Sequence, residues 1–257
     1  MSDAPAPDGD HDRDVGIRFS TTEVEEILAC GEMEVLGRLP RASNATLLVR
    51  VTRGDVVVPA VYKPRRGERP LWDFREGTLY RREAAAYVVS EAIGWGLVPP
   101  TVVRTGEFGV GSVQLFVDED DDLDMLALVD AGHESLQPMA VLDVVLNNAD
   151  RKVSHCVVDA SGRLWGIDHG LTFHEEPKLR TVLWAWAGEH VPAWMRQDVA
   201  ALGDQIAASG AELTDRLADL LDDIEISALA SRVDALSASG RFPEPDPYGH
   251  PVPWPPY

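Results

Sequence analysis

The sequence predicts an α+β fold in two lobes, an antiparallel β-rich lobe first and a mainly helical lobe after it. Three observations carry this. Short apolar runs bounded by turn residues dominate from Met33 to Val117, apolar residues recur at helical spacing from Met195 onward, and an acidic run, Asp118 to Asp122, separates the two regimes. With 257 residues, 45% of them apolar, the chain is long enough to bury a sizeable core and form one bilobal domain or two small ones.

Residues 1–15, with Ala-Pro-Ala-Pro and Asp-Gly-Asp-His-Asp, hold too little apolar surface to offset the entropy of ordering, and read as a disordered acidic tail. The first lobe is expected over 16–117, the second over 118–242, and a Pro-rich tail or strap over 243–257. A helix is expected from Thr22, with Thr22 as its cap and Glu25 completing a capping box. Strands follow at Met33 to Leu39, Ala45 to Thr52 and, after the Arg53-Gly54-Asp55 turn, Val56 to Tyr62. Lys63 then stands at the end of a buried-type run. The next helix, Leu79 to Ile93, stops at Gly94-Trp95-Gly96 and carries Glu83 on a face shared with Tyr80, Ala86 and Tyr87. A carboxylate on such a half-apolar face requires a cation, and Lys63 is the candidate. Pro99-Pro100 precedes a second hairpin, Thr101 to Arg104 with Ser112 to Val117, and Asp118 to Asp122 reads as a solvated linker between the lobes.

The chemistry concentrates between Val141 and Gly170. An apolar run ends in the polar knot Asn147 to His155, where side chains compete for backbone hydrogen bonds and stop a helix that Pro138 begins. Cys156 to Asp159 and Arg163 to Ile167 flank a Ser-Gly turn and pair as a hairpin that folds Asp168 back toward Asp150. Two carboxylates so placed suit metal-assisted phosphoryl transfer: one orients an acceptor hydroxyl and the other holds a divalent cation.

Asp150-Arg151-Lys152 with His155, followed by Ile167-Asp168-His169-Gly170, resembles the paired Asp-Arg-His…Asn and Asp-Phe-Gly motifs of the phosphatidylinositol 3-/4-kinase superfamily. Its small actinobacterial relatives, with Asn-Ala-Asp-Arg-Lys…His and Asp-His-Gly, are the nearest pattern. The resemblance runs from about Glu34 to Gly188 and implies a protein-kinase-like fold that binds ATP with Mg²⁺ or Mn²⁺. It implies that Lys63, fixed by Glu83, holds the α- and β-phosphates, that Asp150 orients the acceptor, that Lys152 neutralises the transferred group, and that Asp168 holds the metal. It also implies that Ser43 and Asn44 lie in a phosphate-covering loop, and that Leu115, Phe116 and Val117 form the hinge whose backbone reads adenine. His155 departs from the pattern, which has Asn as a second metal ligand; imidazole suits Mn²⁺ or Zn²⁺ better than Mg²⁺, and it would alternatively orient Asp168 or titrate near neutral pH. The family's activation segment falls on Leu171 to Glu189, where Lys178 and Arg180 read either as anion contacts or as surface ion pairs, and Trp184 and Trp186 as core.

Composition narrows the partners. The 43 acidic against 23 basic residues, a formal charge of −20, argue against nucleic acid. Only Cys30 and Cys156 occur, so no disulfide framework is implied and a reducing, cytoplasmic setting is expected. No apolar run of about 18 residues indicates stable membrane insertion, and the absence of a basic amphipathic helix weighs against a membrane-bound head group. Three other readings stand beside the kinase one: a transition-metal hydrolase built on His155, Asp168, His169 and His174, a nucleotide-binding pseudokinase acting as an interaction module, and the same fold transferring AMP. The acceptor, whether a small molecule, an inositol-type compound or a protein hydroxyl, and the oligomeric state are not written in the sequence.

Overall fold

The computed structural model describes residues 19–39, 45–120, 122–208 and 210–257. The expected acidic tail over 1–15 and the two loop residues Ser43 and Asn44 lie outside them. In chain order the elements are α1 (Thr21–Cys30), β1 (Glu32–Arg38), β2 (Leu47–Arg53), β3 (Val56–Pro64), α2 (Leu79–Ala92), β4 (Thr101–Gly106) and β5 (Gly109–Leu115). There follow α3 (Met125–Asp130), α4 (Gln137–Leu146), β6 (Cys156–Val158), β7 (Leu164–Gly166), α5 (Ala193–Ala207), α6 (Glu212–Ala218) and α7 (Asp223–Ser239). This is the expected bilobal, kinase-like arrangement: an antiparallel sheet, then helices enclosing a small hairpin.

The sheet order is β1-β2-β3-β5-β4. Gly54, at φ +60°, makes the tight turn that pairs Arg53 with Val56. Along β3 the side chains alternate, so Val58, Ala60 and Tyr62 are buried beneath α1 while Val57, Pro59, Val61 and Lys63 face the other way. Lys63 therefore lies within the strand, opposite Ser112, rather than beyond its end as expected. Close packing of β3 on β5 extends the ladder there: a Cβ at Gly111 would come within 2.7 Å of Pro64 Cα, so only glycine allows the approach.

The cap of α1 also differs. Ser20, not Thr22, is the N-cap, accepting from the Glu23 N–H (3.3 Å) while the Glu23 carboxylate accepts from the Ser20 N–H (2.8 Å). Two Ser/Thr-x-x-Glu frames overlap, and the earlier one adds a hydrogen-bonded turn while keeping Val24, Ile27 and Leu28 on one buried face.

Among the described residues two large apolar cores result, one between α1 and the sheet and a larger one in the helical lobe, with a small cluster of Phe74, Leu79 and Ala149 beside them. Helix α2 belongs to the second core through Ala85, Ala86, Tyr87, Val88 and Val89, and it also packs on β4 and β5. It is buried almost throughout from Leu79 to Ser90, with Arg81 facing solvent, instead of showing the half-apolar surface the sequence suggests. The acidic linker is not simply solvated: the Asp120 N–H donates to Val158 O (2.9 Å) on β6, and the Asp124 carboxylate caps α3. The Pro-rich segment is a strap, because Pro251 O accepts from the Thr181 N–H (2.9 Å) and Pro256 O from the Val153 N–H (2.9 Å). Trp186 is buried against Phe242, as expected of a core residue. Among the described residues no helix is long and apolar enough to cross a membrane.

Both cysteines are free thiols, Cys30 exposed and Cys156 buried, and burial pushes the Cys156 thiol up to about 12. Because the thiolate is the nucleophile, an aromatic disulfide reagent at pH 8 should titrate one thiol per native chain and two after denaturation; two fast thiols in the native protein would contradict this packing.

Candidate active site

Helix α4 stops at Leu146 because Asn147 takes the left-handed conformation, φ 52°, which an Asn side chain tolerates better than most. Its amide then organises the segment after the Asp-His-Gly motif: Nδ2 donates to His174 O (2.9 Å) and Glu176 O (2.7 Å), and Oδ1 accepts from the Lys178 N–H (2.8 Å). Asn148 donates through Nδ2 to Asp143 Oδ1 (2.9 Å) and accepts the Asp150 N–H (3.0 Å), which sets where the Asp150 carboxylate projects. Lys152 Nζ lies 3.1 Å from Asp150 Oδ2. Burial, partly countered by Lys152, raises the Asp150 carboxyl above its ordinary value, and Asp168 adds to the rise.

Arg151, fully buried, closes the loop. Its Nε donates to the Asp143 carboxylate (3.0 and 3.1 Å), one terminal nitrogen donates to His155 O and Ile167 O (both 3.0 Å), and the other lies 2.9 Å from Asp143 Oδ1 and 2.7 Å from His169 Nε2. All five guanidinium N–H groups have acceptors. Asp143 accepts as well from the Thr181 hydroxyl (3.1 Å), so the segment after the Asp-His-Gly turn joins the same network. Sequence reasoning singled out neither Asp143 nor the guanidinium of Arg151 as an organiser. The available signal was a carboxylate at Asp143 inside an otherwise apolar helical run, eight residues from a cation.

The β6–β7 hairpin pairs Cys156 with Gly166 and delivers Asp168 in the left-handed region, φ 60°. Its Oδ1 accepts from Lys63 Nζ (3.0 Å), and Lys63 is also ion-paired to Glu83 Oε1. Glu83 in turn accepts the His169 N–H through Oε2 (3.0 Å), so one helix carboxylate holds both the strand lysine and the backbone of the motif. Lys63 drives the Asp168 carboxyl well below its ordinary range against the opposing effect of burial. Burial alone would lower Lys63, but Asp168 and Glu83 reverse this and keep it protonated. Burial pushes Glu83 up, with Lys63 opposing.

His155 Nδ1 lies 2.9 Å from Asp150 O, which accepts only, so Nδ1 carries the proton and Nε2 presents a lone pair 3.4 Å from Asp168 Oδ2. Burial lowers this imidazole to about 4, which overturns the expectation of titration near neutral pH. When the ring is neutral with its proton on Nδ1, Nε2 and the Asp168 carboxylate are adjacent nitrogen and oxygen ligand atoms suited to a divalent metal.

The other histidines are engaged elsewhere. His169 is packed on Arg151, and His174 accepts the Glu176 N–H (3.0 Å) and donates to Asp73 O (2.8 Å). The His155, Asp168, His169 and His174 cluster of the hydrolase reading is thus not assembled, and among the described residues no group of three or more such side chains converges on a metal site. Lys178 takes the ion-pair alternative, with Asp73 Oδ2 at 3.1 Å and the Trp72 ring at 5.3 Å, while Arg180 is exposed. In the connection between lobes the Leu115 N–H donates to Pro100 O (2.9 Å) and the Phe116 N–H to Pro59 O (3.0 Å), so of the three amides from Leu115 to Val117 it is that of Val117 that has no partner among the described residues.

The family model for phosphatidylinositol 3- and 4-kinase matches residues 81–209. The Mycobacterium tuberculosis protein Rv2133c is 41% identical over 89% of this chain and 94% of its own length. Phosphatidylinositol 4-kinase gamma 4 of rice (Oryza sativa subsp. japonica) is 33% identical over 43% of this chain and 23% of its own. Among solved structures, hydra Fam20 with sugar superposes at a TM-score of 0.54, covering 86% of this chain and 88% of that one at 13% identity. The Helicobacter pylori proinflammatory kinase CtkA gives 0.51, covering 84% and 94% at 11% identity.

Removing one partner of a fully buried ion pair leaves the other charge without compensation. Asp143→Ala should therefore cost about 3–5 kcal/mol in urea unfolding, whereas Glu34→Ala, at the exposed Arg50–Glu34 pair, should cost less than about 1 kcal/mol. Equal losses in the two variants would show that Arg151 does not organise the loop.

Proposed function

The chain belongs to the phosphatidylinositol 3- and 4-kinase family, and we propose that it is an ATP-dependent phosphotransferase that moves the γ-phosphoryl group to a hydroxyl acceptor with the help of Mg²⁺ or Mn²⁺. The observation that carries this reading is the junction of Lys63 with both Glu83 and Asp168, a protonated amine held between two carboxylates from different elements. Such an amine, already oriented, offers its charge to nucleotide phosphates without reorganisation when they arrive.

In this reading Asp168 and His155 would hold the divalent cation, which would draw charge from the β- and γ-phosphate oxygens. Lys63 binds the α- and β-phosphates, and Glu83 holds its amine in place. The ceiling for adenine is the face of the sheet carrying Val61, and the Val117 N–H is the free hinge donor for the base edge, with Leu115 and Phe116 fixing the backbone on either side. Asp150, whose raised carboxyl pKa suits it to accept a proton, orients the acceptor hydroxyl, and Lys152 beside it neutralises the oxygens of the transferred group. The acceptor is a hydroxyl of a small molecule, an inositol-type compound or a protein. Two unpaired thiols fit a cytoplasmic setting.

ATP with Mg²⁺ or Mn²⁺ should raise the melting temperature, by an amount equivalent to about 2.7 kcal/mol at about 100 times the dissociation constant, and Lys63→Ala should abolish the shift. No shift in the wild type with either cation would remove the basis of this function. Turnover and binding should then separate between the two carboxylates. Asp150→Ala should lose turnover while keeping nucleotide affinity, and Asp168→Ala should lose turnover and metal-dependent affinity together. A matching loss of affinity in both variants would refute the assigned roles, and unchanged turnover in Asp150→Ala would exclude it as the acceptor-orienting group.

A further inference from the structure

Glu83 acts from a helix, so whatever fixes the rotation of α2 about its axis fixes the Lys63–Glu83–Asp168 junction. The neighbouring residue, Arg82, is 2% exposed and ion-paired to Glu225 of α7, itself 4% exposed. Another terminal nitrogen of Arg82 donates to Thr172 O, its Nε lies 3.5 Å from Thr78 Oγ1, and its guanidinium stacks 5.0 Å from the Phe74 ring centroid. Thr172 is tied to the motif, because its hydroxyl donates to His169 O (2.7 Å). Successive residues of α2 thus grip the same turn at two points: Glu83 takes the His169 N–H and Arg82 the Thr172 carbonyl.

Adjacent helical residues project about 100° apart, so Glu83 reaches the cleft only while Arg82 points toward α7. Glu225 is held in its turn. Its other oxygen accepts the Asp222 N–H (2.9 Å) in the α7 capping box, and Asp222 is paired with Arg75 on the segment that carries Phe74. The clasp joins α2, the Asp-His-Gly turn and α7, elements separated by 143 residues at the Arg82–Glu225 contact.

We infer that Arg82 and Glu225 are positioning residues for phosphoryl transfer: they lock α2 to the helical lobe in the rotation that seats Glu83 on Lys63 and on the motif backbone. The inference rests on the kinase reading of the same site. The consequence is a helix whose orientation is held by contacts within the fold itself.

The test replaces the pair by apolar side chains, Arg82→Met with Glu225→Leu, since buried ion pairs exchanged for packed hydrophobic residues commonly keep or gain stability. Two measurements are made on wild type and double variant. Hydrogen exchange at the His169 amide reports the grip without nucleotide, and titration with a fluorescent ATP analogue and Mg²⁺ reports its use. The double variant should melt close to wild type, exchange His169 faster, and bind the metal–nucleotide about 10- to 100-fold more weakly, as expected when groups supporting a site's ligands are lost. A purely structural role predicts unchanged exchange and affinity at unchanged melting temperature, and that result overturns the inference. If the double variant does not fold, Glu225→Gln, which keeps shape and cap, should show the same two changes at smaller size; unchanged exchange and affinity there would likewise overturn it. Absence of nucleotide binding by wild type, with His169 exchange still faster in the variant, would instead condemn the kinase reading and leave the clasp standing.

Discussion

The buried ion pair between Asp143 and Arg151 is the constraint on which the site depends. A guanidinium removed from water must find acceptors for all five N–H groups or the fold loses several kcal/mol, and here the acceptors come from α4, from the loop itself, from the end of the β6–β7 hairpin and from His169. Satisfying one side chain therefore fixes the relative positions of three chain segments: α4, the loop after it, and the stretch from Ile167 to His169. Asp150 and Lys152, on either side of Arg151 in sequence, are turned toward the cleft because Arg151 is turned away from it. Backbone bonds on both sides of Arg151, its N–H to Arg180 O (3.0 Å) and its carbonyl to the Val182 N–H (3.1 Å), extend the order to the segment after the Asp-His-Gly turn.

A second constraint acts from above. Helix α2 is buried between the sheet and the helical lobe, and nearly every position along it contacts something. Its two charged residues in that interior, Arg82 and Glu83, reach opposite partners, one in α7 and the other in β3 and the motif. A helix so placed transmits packing of the C-terminal helices to the cleft, which gives the last part of the chain a bearing on a site built mainly from residues 63 to 168.

Charge distribution complements this arrangement. The chain carries a formal charge of −20, yet Lys63 and Lys152 gather at the cleft, each held by a carboxylate. The long-range field of so acidic a surface opposes a polyphosphate, and a divalent cation arriving with the nucleotide reduces that opposition. Local cations and a metal then matter more than steering by the whole protein. Asp168 combines the two roles by keeping its charge beside Lys63 while leaving its side chain 53% exposed to the cleft.

By itself the sequence determined the class of fold, the antiparallel strands in their order along the chain, the stop of α4 at Asn147 and the hairpin that returns Asp168, while the family resemblance supplied the pairing of Lys63 with Glu83, 20 residues apart. The former follow from local rules, periodicity and turn chemistry, which need only neighbours in sequence. Overlapping local signals misled where two frames competed, as at Ser20 and Thr22. Tertiary structure alone decided which way each ring nitrogen and guanidinium points: that His155 turns a lone pair to Asp168, that His169 and His174 are engaged away from it, that Arg151 faces Asp143, and that Arg82 meets Glu225. Each of those directions is set by acceptors brought from distant segments into a water-free interior, where an unpartnered polar group is costly. No rule about neighbouring residues contains that information, because the acceptors become neighbours only once the chain has folded.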